Sequence, residues 1–120
     1  MATQPDLWGE IQVAVVRTPA AILREQAALL GQKTGYTIHG KVETETSGTD
    51  FYHYFKLVVP ALDDYTYELL RVKHSIDLYP VTADRKEYKT EAEFTDWLRG
   101  KLSSPDTRRI VGNLLAQANS

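Results

Sequence analysis

A strand-like run across residues 36–79, closed on both sides by helix-like sequence, constrains this chain more than any other feature. Along the run, alternate positions are aliphatic or aromatic, and the positions between them carry tyrosine, histidine, lysine and arginine. Such period-two patterning marks strands with one face on a core and the other toward solvent. In residues 36–46, Tyr36, Ile38, Gly40 and Val42 alternate with Thr37, His39, Lys41 and Glu43. After a polar turn at residues 47–50, Phe51, Phe55, Leu57 and Val59 share one register, and Tyr52, Tyr54, Lys56 and Val58 share the other. Pro60 ends this strand, and Leu62, Asp63 and Asp64 form the next turn. In residues 65–79 the pattern places Leu70, Val72, Ile76 and Leu78 in register with His74. Tyr67, Leu69, Arg71, Lys73 and Asp77 fall on the opposite side. Residues 80–83 extend as a short edge strand, and Asp84 and Arg85 turn.

The flanking segments read as helices through their start signals. Thr18 precedes Pro19, where a missing N–H costs nothing, and Ile22, Leu23, Ala27 and Leu30 then form one face. Lys33 and Gly35 suit that helix's end. Thr90 with Glu93 three residues later is a capping box, followed by Phe94, Trp97, Leu98 and Leu102 at helical spacing. Ser104 and Pro105 start a last helix with an apolar face of Ile110, Val111, Leu114, Leu115 and Ala118. Residues 7–16 fit two templates, because Ile11, Val13 and Val15 alternate like a strand while Leu7, Trp8, Ile11 and Val15 fit one side of a helix; helix is the expectation. Residues 1–6 are polar and expected to fray.

The fold expected is therefore an α+β domain over residues 1–120. It has an N-terminal helix, an antiparallel meander of three to four strands, and two C-terminal helices packed on one sheet face. A chain of 120 residues fits one domain. Its 42% hydrophobic and 25% charged residues argue against disorder. The net charge of −2 lacks the basic excess of proteins that wrap duplex nucleic acid. The absence of cysteine removes disulfides, thiolate metal sites and cysteine catalysis. The opening residues carry no basic, apolar pattern of a secretory leader, so a cytoplasmic location away from any membrane is expected.

No nucleophile triad, phosphate loop or metal-ligand spacing stands out, and neither a catalytic residue nor a cofactor is expected. The best candidate surface is the polar register of the strands, where His39, Lys41, Tyr52, Tyr54, Lys56, Tyr67, Arg71 and Lys73 share one face. Seven tyrosines in so short a chain favour an interaction surface, since tyrosine offers apolar area with one polar tip. The leading expectation is a non-enzymatic accessory module that engages a protein partner, or a second copy of itself, through this face. The first alternative is a platform that stacks bases on tyrosines and meets phosphates with cations, binding single-stranded nucleic acid or a nucleotide.

The second alternative is a metal-dependent nuclease. The order helix, three strands, helix resembles the core of one large nuclease superfamily, whose motif is an acid followed on the next strand by acid-x-lysine. Here Asp77 precedes Glu87, Tyr88 and Lys89, and Glu25 lies on the first helix. That resemblance implies two carboxylates holding magnesium and a lysine that stabilises developing charge. The placement departs from the pattern, since Glu87 falls just before the capping box. Of the histidines, His39 belongs to the polar register, whereas His53 and His74 share the apolar one and are expected to be partly buried with hydrogen-bond partners.

Overall fold

The computed structural model describes residues 4–120, so residues 1–3 of the stretch expected to fray lie outside the described residues. Helix α1 spans Pro19–Lys33. Strands β1 (His39–Ser47), β2 (Asp50–Val59), β3 (Tyr65–Ser75), β4 (Val81–Ala83) and β5 (Lys86–Tyr88) follow, with a 3-10 turn at Pro60–Leu62 between β2 and β3. Helices α2 (Glu91–Leu102) and α3 (Pro105–Ala118) close the fold. The five strands pair antiparallel in sequence order, β1-β2-β3-β4-β5, as a meander. The architecture is the expected α+β one, with five strands rather than three or four.

Each helix begins where its cap residue lies. Thr18 Oγ1 accepts from the Ala21 N–H, Thr90 Oγ1 from the Glu93 N–H, and Ser104 Oγ from the Thr107 N–H. Each cap satisfies one otherwise orphaned donor and contributes about 1 kcal/mol. The β4–β5 turn consists of Asp84 and Arg85, both at positive φ, the twist a two-residue hairpin requires.

All three helices lie on one face of the sheet. Phe55, Leu57 and Val59 of β2, Leu70 and Val72 of β3, and Val81 of β4 meet Ile22, Leu23 and Ala27 of α1 and Phe94, Leu98 and Leu114 of the helical hairpin. The opposite face has no layer over it among the described residues.

Four local expectations are corrected. The pairing of β2 with β3 shifts register after Phe55, so that Phe55 faces Leu70 but Lys56 faces Glu68, and Leu69 is the extra residue of a β-bulge. The bulge reverses the parity of β3 on one side of it. Tyr67 therefore sits opposite the core residue Leu57, on the helix side, instead of beside Arg71 and Lys73, and Leu69 also turns toward the helices. Second, β3 ends at Ser75; Leu78 takes a positive φ and Ile76 is exposed, so neither extends the apolar register. Third, residues 7–16 are neither helix nor strand. Tyr36 likewise precedes β1, with its N–H donating to the Gly31 carbonyl at 2.7 Å in the turn that follows α1.

The tightest contact between layers is at Gly40 of β1. A Cβ there would lie 2.5 Å from Ala27 Cα and 2.6 Å from Ala27 Cβ. Gly40→Ala must push α1 off the sheet and is expected to cost about 1–3 kcal/mol. Gly100→Ala, in α2 where a new Cβ meets nothing within 4 Å, is expected to stabilise by up to about 1 kcal/mol. Thermal melts of the two variants should shift in opposite directions.

Candidate binding surfaces

Strand parity gathers seven of the eight candidate residues on the uncovered face. Lys41 pairs with Lys56, Tyr52 with Lys73, and Tyr54 with Arg71, while His39 stands opposite Val58. Tyr67 is the exception; the bulge sends it to the other side, where it lines a shallow depression with Trp97 and Ile110. The same register brings carboxylates among the cations. Glu43 pairs with Tyr54, Glu45 with Tyr52, and Glu68 with Lys56.

Carboxylates of this face engage all four candidate lysines and arginines. Glu43 bridges Lys41 at 3.3 Å and Lys56 at 2.9 Å. Glu68 binds Arg71 at 2.9 Å, and Asp50 lies 3.6 Å from Lys73. The hydrogen bonds from Lys56 and then Lys41 hold the Glu43 carboxyl below its ordinary range, and Glu43 in turn raises Lys56. Glu68 raises Arg71 in the same way. The rings of Tyr54 and Tyr52 lie between these pairs, with Arg71 5.1 Å from the Tyr54 centroid and Lys73 5.8 Å from that of Tyr52. Burial, and then the charge of Glu45, pushes the Tyr54 hydroxyl up. The face is thus a charge-balanced lattice around two half-buried tyrosines, not a basic platform. Glu43 and Glu45 share the parity of Lys41, a signal the sequence displays; Glu68 joins them only through the bulge.

The nuclease candidates do not assemble. Glu25 is ion-paired with Arg17 on α1, which lies over the inner face, whereas Glu87 stands opposite Thr82 on the outer one. Asp77 lies in the turn after β3. Among the described residues no group of three histidine, aspartate or glutamate side chains is placed to hold a metal ion.

Two histidines do converge. His53 and His74 are 3% and 6% exposed, with their Nε2 atoms 2.8 Å apart. His53 Nδ1 is 2.8 Å from Thr44 Oγ1, and His74 Nδ1 is 2.6 Å from the Ser75 carbonyl. That carbonyl can only accept, so His74 carries its proton on Nδ1. Burial first, then the neighbouring His74 and Arg24, pushes His53 down to about 4.

Two apolar features complete the surface. In the segment before α1, Leu7, Trp8, Ile11, Val13 and Val15 are 75% to 99% exposed. Between α1 and the α2–α3 hairpin, an open cleft of about 680 Å³ is floored by Phe55, Leu57 and Leu69 and walled by Leu29, Leu30, Leu98, Leu102, Val111 and Leu115. Sequence reasoning missed this cleft because it depends on the spacing between helices, which side-chain periodicity does not encode.

No protein-family model matches this chain, and no curated protein and no solved structure matches it at a significant level. What defines the molecule is its own geometry: a two-layer α+β fold with a bare sheet face, an apolar cleft and an apolar arm.

The histidine pair gives the fold a defined acid response. A base whose folded pKa lies below its unfolded value of about 6.5 leaves the unfolded chain holding more protons. Stability is then fully present above about pH 6.5 and falls as pH drops toward the folded value near 4. The loss is expected to reach up to about 3 kcal/mol. Denaturant titrations at pH 7 and pH 4.5 should show it, and His53→Gln should flatten the difference. Equal slopes in wild type and variant would assign the acid response to other groups.

Proposed function

We propose that this protein is a non-enzymatic binding module that engages another protein. The observation that carries this reading is the arm before α1, whose five large apolar side chains stand in solvent. Scattered exposed apolar residues are ordinary, but a contiguous exposed apolar segment marks an interaction site. The uncovered sheet face around Tyr52 and Tyr54 supplies a second contact surface. Its paired charges suit a partner with a mixed, matched charge pattern, and its tyrosines supply anchors of the kind that dominate protein interfaces. None of the described helices is long and apolar enough to cross a membrane, and a chain without cysteine suits the reducing cytoplasm that we propose as its setting.

The sheet geometry does not favour nucleic acid as the partner. Binding to single strands draws on cations that release counterions from phosphates. Here Lys41, Lys56, Arg71 and Lys73 are already engaged by carboxylates of the same face.

Native mass spectrometry of the protein, purified gently from the cells that make it, is expected to show a species heavier than the 13.6 kDa chain. A bare monomer at cellular concentration overturns the reading. Oligonucleotide titrations at low salt should show no binding. Salt-sensitive binding that Tyr54→Ala and Lys56→Glu abolish would replace the protein partner with a nucleic acid.

A further inference from the structure

The arm and the cleft are the largest uncovered apolar features among the described residues, and their charges are opposite. Residues 4–16 carry Asp6 and Glu10 and no basic residue. The cleft is lined by no acidic residue, and Lys33, Arg99 and Arg108 stand exposed along it. Arg99 is held by Asp96 at 2.7 Å, but among the described residues Lys33 and Arg108 pair with no carboxylate. The periodicity of the arm matches as well. In an extended chain Ile11, Val13 and Val15 project to one side, and Glu10 and Gln12 to the other. An arm laid in the cleft with its apolar side down keeps Glu10 on its outer side, above a cleft whose margin is cationic.

The exit of the arm and its outward course favour the cleft of another copy. The Arg17 N–H donates to Glu91 Oε1 at 2.9 Å, the Tyr79 hydroxyl donates to the Arg17 carbonyl at 2.8 Å, and the Arg17 side chain pairs with Glu25. These bonds root the arm beside the first turns of α1 and α2. The cleft runs along those helices from Ile22 to Lys33 of α1 and from Thr95 to Leu102 of α2, so most of its length lies beyond the point where the arm leaves. The arm also points away from the body: the molecule measures 69 × 37 × 24 Å with a radius of gyration of 18.2 Å. A compact chain of this length has a radius of about 14 Å.

We propose that the protein is a reciprocal homodimer in which residues 7–16 of each copy lie in the α1/α2–α3 cleft of the other. The arrangement rests on the reading of the arm as a protein-binding segment and names its partner as a second copy. It is isologous, so one arm–cleft contact is made twice and the assembly closes at two chains.

The test is sedimentation velocity of the purified full chain across micromolar concentrations. The expected result is a species of twice the 13.6 kDa chain mass. Val13→Asp in the arm and Leu29→Glu in the cleft wall, both at exposed positions, are each expected to weaken the dimer at least tenfold while circular dichroism stays unchanged. Glu10→Lys should weaken it too, and adding Arg108→Glu should restore it. A dimer that is indifferent to all of these variants overturns the arm–cleft contact. A monomer also overturns the proposal, whether the arm folds back on its own chain or the cleft takes a small apolar ligand. If the protein drawn from its cells then carries a different protein, the binding-module reading survives; if it is bare there as well, both fail.

Discussion

The close approach of α1 to β1, where Ala27 meets the bare backbone of Gly40, sets the position of everything else in the helical layer. With no side chain at Gly40, the helix axis drops toward the edge of the sheet and buries Ile22, Leu23 and Ala27 there. One 15-residue helix cannot also cover β3, β4 and β5. The α2–α3 hairpin takes that side, with Phe94 and Leu98 buried and Trp97 stacked on Phe94 and tilted against Tyr88. The two groups of helices contact each other little, and the floor between them is the apolar middle of β2. A cleft over Phe55 and Leu57 is thus a geometric result of seating α1 so tightly at the edge.

The bulge at Leu69 divides the sheet into two chemical regions. On one side of it, β3 gives Arg71 and Lys73 to the outer face and Val72 and His74 to the inner one. On the other, the parity inverts, and Glu68 comes outward while Tyr67 turns in. The single inserted residue therefore does two things. It delivers a carboxylate beside Arg71, which completes the charge balance of the outer face, and it supplies Leu69 to the cleft floor. Without the bulge the outer face would gain a tyrosine and lose an acid, moving it toward the stacking platform that its sequence pattern suggests.

Local signals explain what was legible in the sequence. The helix starts at Thr18, Thr90 and Ser104 each rest on a residue type and a neighbour within three positions, and all three form as expected. The β2 register is equally plain, because Phe55, Leu57 and Val59 repeat without interruption. Tyr67 was misplaced because a bulge leaves no mark in a run where Leu69 and Leu70 are both apolar. Residues 7–16 satisfied two periodicities at once, and no cap or turn residue within them selects either. Their exposed, irregular form in the isolated chain is what such a segment adopts without a surface to fix its register. The cleft was invisible for a different reason: it depends on the distance between helices, which side-chain periodicity does not encode.

The buried histidine pair shows how a polar cluster can be fitted into this core. With both rings neutral, one direction of donation satisfies every atom: Thr44 O–H to His53 Nδ1, His53 Nε2–H to His74 Nε2, and His74 Nδ1–H to the Ser75 carbonyl. The chain of bonds crosses β1, β2 and β3 on the helix side, and Phe51 stacks on His74 at 5.3 Å to close it off. One added proton is accommodated, since the Thr44 hydroxyl can turn from donor to acceptor. A second proton would set two N–H groups against each other across 2.8 Å, with no acceptor between them. The pair therefore ties three strands together only while it holds at most one extra charge. These hydrogen bonds leave no buried side-chain polar atom unsatisfied among the described residues, and acid works against them at His53, where burial disfavours the added charge.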